Sequence, residues 1–192
     1  MGLSTEKKLT LLKEKVQTKE FLEGKGLGNE IPFWIFDYSP KDEMMVRYNI
    51  EKISKHLENC SINVLKLDLY EISMSILYKH GLVEKIIGFE NDKGSEKALD
   101  KTKLSLKPEE ITKHIETIMK ESDPDVVFLF GIGKAWPLIR SHTILNNLQP
   151  VLGNIPMVAF YPGEYSGNDL SLFGKFKDSN YYRAFRLVDQ DI

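Results

Sequence analysis

Two short segments, residues 126–130 (Val-Val-Phe-Leu-Phe) and 156–161 (Pro-Met-Val-Ala-Phe-Tyr), are apolar at every position. A strand with one wet face alternates apolar and polar residues; a strand apolar throughout is buried on both faces, as a parallel sheet covered by helices requires. Such strands need crossover connections, so the rest of the chain must supply helices for both sides of a sheet.

It does so in order. Residues 4–23 set Leu9, Leu12, Val16 and Leu22 at roughly helical spacing among charges, and Gly24, Gly26 and Gly28 follow as stop signals. This predicts an N-terminal helix within residues 1–28. Residues 31–36 form an aromatic-rich apolar run ending at Asp37, a predicted strand. Ser39-Pro40-Lys41-Asp42 then reads as a helix start, with Met45, Ile50, Ile53 and Leu57 on the buried side. The unit repeats: residues 62–67 predict a strand ending at Asp68, and residues 70–80 a helix closed by Gly81. Residues 88–107 are charged, without apolar periodicity, and are expected as an exposed insertion. A helix opens at Pro108 and carries Ile111, Ile115, Ile118 and Met119 as its stripe; another is expected over residues 137–148, and a late strand over 181–188. The order predicts a single three-layer α/β domain over residues 1–192, with a mostly parallel central sheet flanked by helices. Its topology is Rossmann-like or P-loop-like, without a Walker A motif.

Composition narrows the function classes. With 42% apolar and 28% charged residues the chain has the balance of a globular protein, and 192 residues suffice for one core. A net charge of −2 disfavours binding nucleic acid by general electrostatics, which needs a basic face; a local basic patch stays open. Cys60, the single cysteine, excludes an internal disulfide and a thiolate zinc cluster. No stretch approaches the ~20 apolar residues of a membrane span, and the first residues lack a signal-peptide core, so a cytoplasmic protein without membrane contact is expected.

In open parallel sheets ligands bind beyond the carboxyl ends of the strands, which here gathers Asp37, Asp68, residues 131–134 and residues 161–164. Gly131-Ile-Gly-Lys134 sits between strand and helix, where amides cradle phosphate. A P-loop needs four residues between its first glycine and the Gly-Lys pair and a hydroxyl after the lysine; here one residue intervenes and Ala135 follows, so a plain tight turn is expected. Asp37 and Asp68 have the chemistry of metal ligands or a paired acid and base, against helix or turn caps as the ordinary use of aspartate at strand ends. Ser141 and His142 are adjacent without a nucleophile-elbow pattern, and neighbours on a helix point apart. Glu164 is expected to pair with Arg140 or Arg183, organising the loops. Tyr181, Tyr182, Arg183, Phe185 and Arg186 are of the types that anchor protein interfaces or stack on single-stranded bases, and a protein partner is the preferred reading.

Several segments together resemble the BrxB family of the bacteriophage exclusion systems called BREX: residues 128–133, 136–149 (Trp-Pro-Leu-Ile-Arg-Ser-His-Thr-Ile-Leu-Asn-Asn-Leu-Gln), 156–165 (Pro-Met-Val-Ala-Phe-Tyr-Pro-Gly-Glu-Tyr), Leu172-Phe173 and 180–187, with residues 33–40 and Arg47 earlier. The resemblance implies a small component of a multi-protein phage-defence system. There it would act with PglZ, a phosphatase-superfamily protein, and the ATPase BrxC, beside the DNA methyltransferase PglX. It carries no catalytic assignment. The expectation is therefore a non-catalytic adaptor docking a PglZ-like partner, with no cofactor, no metal and no catalytic residue. Asp37, Arg140, His142, Tyr161, Glu164, Tyr165, Tyr181, Tyr182, Arg183 and Arg186 are the candidate partner-binding or organising residues. The rivals are a phosphate-binding module built on Asp37, the 131–134 turn and Glu164, and a DNA-binding accessory protein.

Overall fold

A computed structural model describes residues 2–24, 32–178 and 184–188. The N-terminal segment forms two helices where one is expected. In α1 (Thr5–Val16) the Ser4 side chain caps the Lys7 amide, and α2 (Lys19–Leu22) restarts after Thr18, whose hydroxyl accepts from the Phe21 amide. Strand β1 (Phe33–Tyr38) is followed by a 3-10 turn at Pro40–Asp42 and helix α3 (Glu43–Asn59). Ser39 makes no side-chain cap, and Val46 is fully buried while Met45 is only partly so. Next come β2 (Val64–Asp68) and α4 (Leu69–Lys79).

Residues 88–107, expected as an exposed insertion without apolar periodicity, are helical as far as Ser105, in the pair α5 (Val83–Lys93) and α6 (Ser95–Ser105), turned at Gly94 with φ +85°. The pattern escapes an apolar count because Ala98 and Thr102 are the residues α6 buries, and the Lys101 ammonium covers the Phe89 ring at 4.2 Å. Helix α7 (Pro108–Ser122) leads into β3 (Val126–Phe130), then α8 (Ile132–Ala135) and α9 (Ser141–Leu152). The helix expected from 137 thus starts four residues later, after a short separate helix. Strand β4 (Met157–Tyr165) outruns its apolar run, and β5 (Leu170–Leu172), β6 (Phe176–Asp178) and β7 (Phe185–Arg186) complete the elements. Residues 181–183 of the expected late strand lie outside the described residues.

The sheet order is β2-β3-β4-β1-β7, every neighbouring pair parallel. Beyond Pro162, β4 leaves this sheet and pairs antiparallel with β5, which pairs with β6. Successive strand residues feed opposite cores. Val127, Leu129, Ala159, Tyr161 and Ile35 pack under α4, α7 and α9. Val126, Phe128, Val158, Phe160 and Phe36 pack under α1 and α3. That double burial is what the all-apolar strands require. The carboxyl ends of β1 to β4 consequently open on one edge.

Candidate functional site

At that edge Asp37 lies beside Tyr161 in the β1–β4 register and is only 3% exposed. Oδ1 accepts from the Lys8 ammonium at 2.6 Å, and Lys8 also donates to the Asp37 carbonyl. Oδ2 accepts from Arg186 at 2.7 Å and from the Tyr165 amide at 3.2 Å. One carboxylate thus ties together helix α1, strand β7 and the end of β4. A lone buried carboxylate is very costly, and this one is stable because two cations and an amide surround it. Tyr165 adds to the tie: its hydroxyl is 2.7 Å from the carbonyls of both Gly167 and Ala184, and Arg186 lies over its ring.

Asp68 does different work. Its Oδ1 accepts from the Tyr70 and Glu71 amides at 2.9 and 3.2 Å, capping α4, and Oδ2 accepts from Arg47 at 2.8 Å. With β3 and β4 between them, Asp37 and Asp68 stand three strand spacings apart, roughly 14 Å. That is too far for the shared chemistry of a carboxylate pair. Gly131 has φ +73°, and a Cβ there would lie 2.2 Å from Asp68 Oδ1. The turn is therefore packed against a carboxylate, which repels phosphate. Lys134 points to α4, 2.5 Å from Glu71 and 4.3 Å above the Tyr70 ring. Where a plain tight turn over residues 131–134 is expected, only Gly131 turns, in the left-handed region, and residues 132–134 already belong to α8.

Nearby, Tyr38 donates to Glu43 at 2.6 Å. Burial first, then the negative charge of Glu43 and that hydrogen bond, pushes its phenol far above the ordinary 10.0, while Arg47 pulls the other way.

Arg140, Ser141 and His142 begin α9 and line a cleft of about 450 Å³ with Tyr161. Trp136, Lys175, Phe176 and Lys177 line it too. Glu164 faces elsewhere, into a cavity of about 470 Å³ shared with Lys8, Asp37 and Asp42. Among the described residues no ion pair joins Glu164 to Arg140, and the alternative partner expected for it, Arg183, lies outside the described residues. Tyr181, Tyr182 and Arg183 lie outside the described residues. Among the described residues no cluster of three or more His, Cys, Asp or Glu side chains is arranged to hold a metal ion. No described helix is long and apolar enough to cross a membrane.

Sequence reasoning missed Lys8, although the signal was present: Thr5, Lys8, Leu12 and Val16 fall on one face by helical spacing, so the lysine sits on the buried stripe. It also missed Lys175, Phe176 and Lys177, which lie at the turn into and the start of the short strand β6.

Comparison with known proteins agrees with the resemblance. A sequence-family model described as "BREX protein BrxB" matches residues 65–187. A relative from Bacillus cereus (strain H3081.97), named BREX protein BrxB, is 46% identical over 182 residues, 92% of this chain and 93% of that protein. Another of that name, from Escherichia coli O9:H4 (strain HS), is 37% identical over 183 residues, 95% of this chain and 91% of the other. No solved structure gives a significant match.

Proposed function

The chain belongs to the BrxB family, making it a component of a BREX phage-defence system, and from that premise we propose that it works there as a non-catalytic adaptor. It docks a PglZ-like protein of the same system and links it to further components such as the ATPase BrxC. The observation that supports this reading is the state of Asp37. The most deeply placed carboxylate of the carboxyl edge is spent on Lys8, Arg186 and the Tyr165 amide. Asp68 and Lys134 are likewise taken up by a helix cap and by Glu71. A proton-transferring group must reach its substrate, and groups held this way are positioned to stiffen a platform instead.

A rigid platform suits docking, because little ordering cost is added on association. The arginine and tyrosines of the C-terminal segment, with Arg186 anchored at its described end, are the residue types that dominate partner contacts. Co-expression with the PglZ-like protein tests this. Tyr182→Ala and Arg183→Ala are expected to lower the partner recovered while the melting temperature stays unchanged. Full recovery with both variants removes that segment from the reading.

A further inference from the structure

Charge singles out one region of the surface. The cavity beside Asp37 sets Asp37, Asp42 and Glu164 against Lys8, and a neighbouring one sets Glu164 and Asp169 against Lys177 and Arg186. The cleft at the start of α9 has no carboxylate among its described lining residues, while Arg140, Lys175 and Lys177 all contribute to it. A second cleft of about 420 Å³, which shares Trp136 and Arg140 with the first, also lacks acids and adds Lys103. In a chain of net charge −2, two adjoining acid-free clefts sharing one tryptophan and one arginine form a local basic patch. Lys177 approaches a carboxylate only at 4.0 Å, that of Asp169, with its side chain 70% exposed.

The aromatic groups are arranged as well. Trp136 and Phe176 stack at 4.4 Å between ring centroids, tilted by 31°, and Phe173 meets the indole edge-on at 6.2 Å. Trp136 is 36% and Phe176 45% exposed, so a platform already fixed by its neighbours still offers area to a flat ligand. Cations flanking an exposed aromatic platform are the features by which proteins hold unpaired nucleic acid: bases stack on rings and phosphates follow the positive groove. Helix α9 begins in the cleft with no side-chain cap and no acid in its first turn, so its positive end is not neutralised there by a carboxylate of its own.

We infer that this surface binds an unpaired nucleic-acid strand, with a base on the Trp136 platform and consecutive phosphates along Lys175, Lys177 and Arg140. Each cleft has the volume of a small-ligand pocket, and the two share Trp136 and Arg140, so a strand stacked on the tryptophan has both within reach. The site is independent of the adaptor reading.

The test is fluorescence anisotropy with a fluorescein-labelled oligodeoxythymidylate roughly 12 nucleotides long, within single-strand site sizes. Saturable binding is expected, weakened about tenfold by Trp136→Ala and restored to within about twofold of the parent by Trp136→Phe. The Lys175→Glu, Lys177→Glu double variant is expected to weaken binding at least about tenfold and to flatten the salt dependence by roughly 1.4 in log–log slope. Lys120→Glu on α7 is the charge control and is expected to bind like the parent. Three results would overturn the inference: no saturable binding; equal affinity for Trp136→Ala and the parent; or competition by polyglutamate or thymidine monophosphate as effective as by unlabelled oligomer at equal charge.

Discussion

Arg186 donates from Nη1 to Oδ2 of Asp37 at 2.7 Å, joining residues 149 positions apart in sequence. Lys8 holds the other oxygen of the same carboxylate from the opposite end of the chain. Helix α1 and strand β7 are thereby fixed to β1 at the carboxyl edge of the sheet through one buried group.

Removing that group leaves two cations without their partner. Asp37→Ala is expected to cost about 3–5 kcal/mol in urea unfolding, and Asp37→Leu combined with Lys8→Met to recover part of the loss. A loss below about 1 kcal/mol for Asp37→Ala would show that the triad does not anchor α1 and β7.

Asp68 combines a cap and an ion pair that substitution can separate. Asparagine caps helices as well as aspartate, so Asp68→Asn retains the bonds to the Tyr70 and Glu71 amides through its one oxygen, while its NH2 now faces Arg47 and both the charge and the hydrogen bond there are lost. Asp68→Ala loses both and is expected to be less stable than Asp68→Asn by about 1 kcal/mol. Equal stabilities in denaturant titrations would mean the cap contributes nothing.

Gly131→Ala places a Cβ 2.2 Å from Asp68 Oδ1 at a φ of +73°. The left-handed backbone alone costs about 1–2 kcal/mol, and the collision adds to it. Gly81 has φ +61° with nothing within 4 Å of its Cβ position, so Gly81→Ala is the matched control. The Gly131 variant is expected to melt at the lower temperature; the reverse order would contradict the close packing on Asp68.

The Tyr38 phenol is raised in the folded protein, mainly by burial. Its contribution to stability is intact below the ordinary phenol value of 10.0 and is lost progressively as pH rises above it, because only the unfolded chain then releases the proton. Tyr38→Phe is therefore expected to soften the decline in melting temperature between about pH 10 and 11.5. An identical alkaline slope in both proteins would contradict the burial of that hydroxyl in its neutral form.

The layered α/β architecture was legible because the core strands announce double burial residue by residue: Val126 to Phe130 and Met157 to Tyr161 offer no polar face. Helix α7 was legible for a related reason, with Pro108 at its start and Ile111, Ile115 and Met119 on its buried side. The hairpin of β5 and β6 was not, because three-residue strands are too short to show a period and their pairing depends on the tail of β4. Helix α6 buries only small residues, so its charges dominate the pattern. At the site, a sequence can place aspartates at strand ends but not count their partners. The distance from Asp37 to Asp68 followed from strand order, which sends β2 to the far edge of the sheet. Lys8 reaches Asp37 through tertiary packing of α1, a contact separated by 29 residues.

The adaptor reading is tested most directly by size-exclusion chromatography with in-line mass measurement of the chain co-expressed with the PglZ-like protein of its own system. The account predicts a single peak containing both proteins, with a mass equal to a whole-number combination of the two chains. Separate peaks, each at the mass of one protein alone, would contradict it.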